Sequence, residues 1–200
     1  GCFAMLLSTA AFSQHLLSEE HLDQKVIFKS IEQALAHHDP SEVYRLNLTG
    51  QDLTEFPAQI LKFSNLQELD LSNNQIAILP EELAQLTLMQ SFDMHHNKLS
   101  HFPEQIFHFK HLLYLGIGGN NITDLPAHIG HLHKLKKLKL GKNNISHLPE
   151  SLGSCHQLEE LVLDDNQLSE LPEHIGAIHM LRFLHLKNNQ LTALPKGFFT

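Results

Sequence analysis

The chain has 200 residues, 42% of them hydrophobic, with two cysteines and a formal net charge of −8. It is long enough to bury a core and too poor in cysteine for a disulfide-stapled scaffold. The acidic balance argues against nucleic acid as a partner.

Residues 1–13, Gly-Cys-Phe-Ala-Met-Leu-Leu-Ser-Thr-Ala-Ala-Phe-Ser, differ in composition from everything after them. They match the apolar part of a secretory signal, with Ala11 and Ser13 as the small residues before a cut at Gln14. The run is too short to span a bilayer, which takes ~20 apolar residues. No basic start region and no initiator Met precede it, so the expectation is a trimmed signal remnant on an exported protein. Its address would then be the periplasm, the cell surface or the medium. The alternative is a cytoplasmic protein in which this run is an apolar strip of an N-terminal cap. Gly1-Cys2 does not serve as a lipoprotein signal end, because the apolar run lies on the wrong side of the cysteine.

Residues 14–42 are expected to form a helical N-terminal cap. Ser18 precedes apolar residues at Leu22, Val26, Ile27, Ile31 and Leu35, a helical spacing, and Asp39-Pro40 stops it. Such a helix would shield Leu46, Leu48 and Leu53 of the next segment from water.

From Val43 to Thr200 the chain repeats every 23 residues, with repeats opening at 43, 66, 89, 112, 135, 158 and 181. A fixed period in this range means a solenoid. Apolar residues fall at repeat positions 1, 4, 6, 11, 14, 18 and 21; in the second repeat these are Leu66, Leu69, Leu71, Ile76, Leu79, Leu83 and Leu86. Positions 4 and 6 alternate with polar neighbours and predict a short strand. The later spacings of four and three predict a turn of helix or 3₁₀ structure behind it. Pro57, Pro80, Pro103, Pro126, Pro149, Pro172 and Pro195 at position 15 end the extended part and start the return leg at a fixed φ.

Position 9 is Asn74, Asn97, Asn120, Asn143, Asn166 and Asn189 in six repeats and Gln51 in the first. An Asn both donates and accepts, so a stacked column can satisfy backbone groups that lose their ladder partners at a sharp bend. The first repeat is expected to lack a neighbour for such a residue to serve.

These features resemble the leucine-rich repeat family, in the form whose repeats contain Leu-Pro-x-x-Ile/Leu; the resemblance covers residues 43–200. It implies an α/β right-handed solenoid with a parallel β-sheet on its concave face and short helical or 3₁₀ segments on its convex face. Right-handed crossovers are also what parallel strands in one sheet require. Seven strands at ~4.8 Å spacing predict a face about 30 Å wide. Single repeats cannot close their own core, so stability comes from stacking and the ends need caps. The seventh repeat is incomplete at Thr200, leaving either further coils or closure by Phe198 and Phe199; a fragment is the expectation. Animal extracellular members often carry disulfide-bonded caps, which this chain has no cysteines to build, so a bacterial exported member is expected. Cys155 falls in a core slot.

In the family, partners usually dock on the concave sheet. Here that surface would comprise positions 3, 5, 7 and 8. Glu68, Asp70 and Asp93 make an acidic zone. Gly116, Gly118 and Gly119 beside Tyr114 leave a bare patch where a partner backbone could come close. Beyond it, Lys137, Lys139 and Glu160 alternate in sign, followed by Phe183 and His185. Tyr114 and Phe183 are the expected aromatic anchors, while the lysines and acids are also placed to pair across strands.

Other chemistries fare less well. Gly116-Ile117-Gly118-Gly119 lacks the long helix of a phosphate loop. Ser72, His95 and Asp93 share a face but have no oxyanion hole or nucleophile turn. Asp70 and Asp93 are too few for a calcium site. Seventeen histidines include a convex column, His133, His156 and His179, without a thiol or carboxylate to complete a metal geometry; protonating the histidines would make binding depend on pH. The expected function is therefore non-enzymatic: a module presenting a rigid concave surface to a protein partner, without cofactor or metal. The alternatives are the recognition arm of a larger multidomain enzyme or GTPase-scaffold protein, and a surface-adhesion or polysaccharide-binding module.

Overall fold

Three residues of each repeat, positions 3–5, carry the polar–apolar alternation, and these three form the strand. The computed structural model describes residues 15–199, so the expected signal at 1–13 and its cut at Gln14 lie outside the described residues. Strands β2 (Arg45–Asn47), β3 (Glu68–Asp70), β4 (Ser91–Asp93), β5 (Tyr114–Gly116), β6 (Lys137–Lys139), β7 (Glu160–Val162) and β8 (Phe183–His185) follow one another at the repeat period. Each pairs in parallel with the next, residue for residue at the repeat spacing, as in Leu69 with Phe92 and Phe92 with Leu115.

Behind the sheet, the seventh repeat returns through a four-residue 3₁₀ turn, Lys196–Phe199, and each of the first six through a five-residue one, as at Glu81–Gln85 and Glu104–His108. The position-15 proline caps it with φ near −70°, from −64° at Pro172 to −76° at Pro103. The core lies between the two layers. Leu66, Leu71, Ile76 and Leu83 are fully buried, as are Met89, Phe92, Met94 and Phe109. Cys155 fills one such slot, and burial pushes its thiol up to about 12. The open solenoid with a parallel concave sheet is the fold that the repeat predicts.

The chain turns from strand to return leg through position 8. Gly50, Asn73, His96, Gly119, Lys142, Asp165 and Asn188 all have φ between +54° and +66°. The bend needs a left-handed residue just before the Asn, and short polar side chains tolerate it better than branched ones. Gly119 is thus a backbone position first, before it is part of any surface patch.

The N-terminal segment departs from expectation. The predicted continuous helix is two five-residue helices, α1 (Glu19–Asp23) and α2 (Ile31–Leu35), separated by a two-residue strand β1 (Ile27–Phe28). Ser18 and Ser30 cap the two helices by accepting from His21 N and Gln33 N. Strand β1 pairs with β2, so the sheet has eight strands. The helical spacing misled because Val26 and Leu35 face solvent; Phe28 and Ala34 enter the core instead. Gln51 therefore has a neighbour: its side-chain amide donates to the Lys29 carbonyl at 2.7 Å. It is longer than Asn by one methylene, which suits this irregular first contact.

Candidate functional site: the concave face and its lip

Strand register lays the position-3 residues in one row, Arg45, Glu68, Ser91, Tyr114, Lys137, Glu160 and Phe183. Asn47, Asp70, Asp93, Gly116, Lys139, Val162 and His185 form a second row two residues along. The nine residues singled out on the concave face thus fall in two parallel rows spread over six strands.

Their chemistry divides into three parts. At the acidic end, Arg45 Nε donates to Glu68 at 2.8 Å, and Asn47 donates to Asp70 Oδ2 at 3.1 Å. Asp70 Oδ1 accepts from the Ser72 amide at 2.8 Å. With both of its oxygens engaged inside the fold, Asp70 holds its own turn and shares no cation site with Asp93.

At the centre, Asp93 takes three donors. His95 gives its ring Nδ1 at 2.6 Å and its amide at 2.9 Å to Oδ1, and the Tyr114 hydroxyl gives 3.0 Å to Oδ2. Burial opposes ionisation of Asp93, but these hydrogen bonds outweigh it and hold the carboxyl below the ordinary aspartate range. Tyr114 is pushed well above the usual phenol range, first by burial and then by the Asp93 charge. The hydroxyl stays protonated and donates. Ser72 pairs with Thr49 rather than His95, so no nucleophile–base contact forms there.

The glycine patch is not bare. A Cβ on Gly116 would stand 2.4 Å from His95 Cε1 and 2.7 Å from the Tyr114 hydroxyl, and one on Gly118 would stand 2.9 Å from His95 Cδ2. The glycines make room for the His95 ring, which lies across strand β5 and closes the space reserved for a partner backbone. Tyr114 is correspondingly half-buried rather than a free anchor. His95 was legible only as a member of a rejected catalytic set; two glycines facing a histidine one coil away were the available signal.

At the far end, Lys137 and Lys139 both reach Glu160, each at 3.7 Å, and the Lys139 ammonium lies 5.8 Å from the Tyr114 ring centre. Two cations share one carboxylate. Beside them Phe183 is 59% exposed, and His185 is exposed as well. The Phe183 ring thus projects from the end of the position-3 row with most of its surface open.

The lip of the sheet, at position 2, holds what the sequence reading missed. The N-terminal segment does not simply stack on the first coil. It runs along the lip across several coils, from Asn65 and Gln67 through Gln90 to Lys136, which pairs with Glu19 at 2.5 Å. Arg45 donates to the Asp23 carbonyl at 3.1 Å and anchors the end of α1. Between α1 and the sheet lies a cleft of about 270 Å³, lined by Leu22, Glu68, Ser91, Tyr114, Lys136 and Lys137 among others. Three of the predicted concave residues therefore border a cleft whose other wall is α1.

On the convex side His133, His156 and His179 do not converge. Among the described residues, the three-donor group whose ligand atoms lie within 4.8 Å of one another is His37, His38 and Glu42.

The model of the leucine-rich repeat family matches residues 41–99, 91–145 and 110–168, most of the chain. The chain belongs to the leucine-rich repeat family. No curated protein matches it. Among solved structures, a leucine-rich repeat protein of Leptospira interrogans is 34% identical with a TM-score of 0.82, over 87% of this chain and 44% of that one. An internalin of Listeria monocytogenes is 27% identical with a TM-score of 0.69, over 82% of this chain and 46% of that one. A plant peptide hormone receptor solved in complex with RGF2 is 29% identical with a TM-score of 0.62, over 73% of this chain and 24% of its own. This leucine-rich repeat chain spans less than half the length of each of these proteins. Its fold is one commonly used as a protein-binding module. Among its described residues no helix is long and apolar enough to cross a membrane.

Proposed function

We propose that this chain is a protein-binding module whose partner docks on the far end of the concave rows, over Lys137, Lys139, Glu160, Phe183 and His185. The observation that carries the reading is the exposed Phe183 ring beside two lysines sharing one acid. An aromatic ring framed by charge is the composition of an interface anchor. The surface is built on strands, so little ordering cost is paid on binding. Glu68, Asp70, Asp93 and Tyr114 are held by internal hydrogen bonds and shape the acidic end of the same surface. The complex of the plant receptor with RGF2 supports binding as the use of this fold. The reading assigns binding rather than catalysis, since Asp93 and Ser72 spend their hydrogen bonds on neighbouring side chains.

The test is affinity capture with the parent chain beside a Lys137→Glu, Lys139→Glu, Phe183→Ala variant that retains the parent's circular dichroism. A protein held by the parent and lost by the variant supports the far end of the sheet as the site. Equal retention by both removes that assignment. We also propose export from a bacterial cell, supported by the composition of residues 1–13 and tested by fractionating cells that express the chain; recovery only in the cytoplasm, with the first thirteen residues intact, overturns it.

A further inference from the structure

Position 2 of the repeat is Tyr44, Gln67, Gln90, Leu113, Lys136, Glu159 and Arg182, with no residue type favoured except in repeats two and three. There the side chains are Gln67 and Gln90, both buried, and Asn65 just before Leu66 is buried too. Three buried amides at the rim of a sheet need partners. They find them in the main chain of residues 15–17.

The geometry is that of a receptor for an extended peptide. The His15 amide donates to Asn65 Oδ1 at 3.0 Å, and the His15 carbonyl accepts from Gln67 Nε2 at 2.7 Å. The Leu17 amide donates to Gln67 Oε1 at 2.9 Å, and the Leu17 carbonyl accepts from Gln90 Nε2 at 2.8 Å. Every main-chain donor and acceptor of two alternate residues is therefore read, the period at which an extended chain shows one edge. The reading groups are fixed by the scaffold itself. Asn65 Nδ2 donates to the Ser41 carbonyl, Gln67 Nε2 to the Asn65 carbonyl, and Gln90 Nε2 to Gln67 Oε1. The side chains of the segment contribute little, since His15 and Leu16 are exposed and Leu17 is only half-buried.

We propose that Asn65, Gln67 and Gln90 form a binding site for an extended peptide main chain, occupied in this structure by the chain's own residues 15–17. A partner's extended segment binds there by exchange with that strap. Main-chain hydrogen bonds supply affinity with little dependence on sequence, as in strand addition to a sheet edge. The tether gives the resident segment a high effective concentration, so a competitor enters only when the strap is loosened. The Lys136–Glu19 pair and the Arg45 contacts to α1 set that hold. This inference does not rest on the concave far-end reading, because the lip residues lie several strands away from Phe183.

The experiment uses the full chain and a fluorescent peptide spanning Gln14 to Asp23. Glu19→Lys on the protein sets like charges at Lys136 and loosens the strap without touching the receptor amides. It is expected to bind the peptide about tenfold more tightly than the parent protein does. A peptide N-methylated at Leu17 is expected to lose at least about tenfold on that variant, while one with alanine at the His15 and Leu17 positions binds nearly as well as the original. Gln67→Leu in the Glu19→Lys background, a residue type repeat four already carries at Leu113, is expected to abolish binding, and Phe183→Ala to leave it unchanged. No gain from Glu19→Lys overturns the exchange. Equal binding of the N-methylated peptide, or an equal loss from the alanine peptide, overturns main-chain recognition.

Discussion

Two columns run along the solenoid, and they obey different rules. At position 9 the same residue makes the same bonds in coil after coil. Asn97 donates to Leu71 and Met94 carbonyls and accepts from the Ile76 amide; Asn120 does the same to Met94, Ile117 and Leu99. At position 2 the residues differ from coil to coil, and where they depart into Gln67 and Gln90 they hold a segment from elsewhere in the chain. Repetition marks what every coil needs in order to stack. Departure from it, at a position the core does not constrain, marks what one coil does alone.

The sharpest way to break the comparison is at the Asn column. Asn97→Ala strands the buried Ile76 amide and removes one of two donors from each of the Leu71 and Met94 carbonyls, which keep Asn74 and Asn120; an orphaned buried group costs about 1–3 kcal/mol. A loss of about 2–3 kcal/mol in urea denaturation is expected. Asn189→Ala, in a half-buried rung that water can reach, is expected to cost about 1 kcal/mol. Equal costs would mean that burial does not set the value of a rung.

A smaller effect is expected at the concave centre. Gly116→Ala drives a methyl into the His95 ring and is expected to cost about 1–3 kcal/mol. Gly141→Ala, where the nearest atom is 3.2 Å away, is expected to cost less. The same centre has a pH signature. Asp93 sits below its usual value when folded, so it stabilises the fold above the unfolded aspartate range. That contribution is lost as pH falls through its folded value. Asp93→Asn is therefore expected to flatten the acid limb of stability against pH. Tyr114 has the opposite sign: its raised value stabilises the fold below the ordinary phenol range and is lost as pH rises through its folded value. Tyr114→Phe is expected to flatten the alkaline limb, seen in the same denaturation series.

The smallest expected effect is a gain. Lys142 holds a left-handed φ of 57°, and Lys142→Gly relieves a strain of about 1 kcal/mol. A rise of a few degrees in Tm is the check; a fall would mean that the lysine side chain contributes more than its backbone costs.

The repeat made the scaffold readable because every coil states it again. Leu69, Leu71 and Ile76 are buried where their spacing put them, and the prolines open the 3₁₀ turns. The rows of the concave face were readable for the same reason, since strand register follows from the period. What side chains do within those rows was not. Gly116 and Gly118 look like open space in sequence, yet their missing Cβ atoms are what admit His95 from the neighbouring coil. The N-terminal segment was misread because its apolar spacing fits a helix equally well, and only packing decides that Phe28 turns inward while Val26 does not. Gln67 and Gln90 were visible as departures, but nothing local says that a segment fifty residues earlier supplies their partners.

The most direct test of this division between scaffold and site is hydrogen exchange on the full chain and on a Gln67→Leu, Gln90→Leu variant. In the parent, the Leu17 amide is expected to be protected together with Ile76 and Leu99. In the variant, Leu17 is expected to exchange freely while Ile76 and Leu99 keep their protection. An unprotected Leu17 in the parent, or a loss that spreads to Ile76 and Leu99, would contradict it.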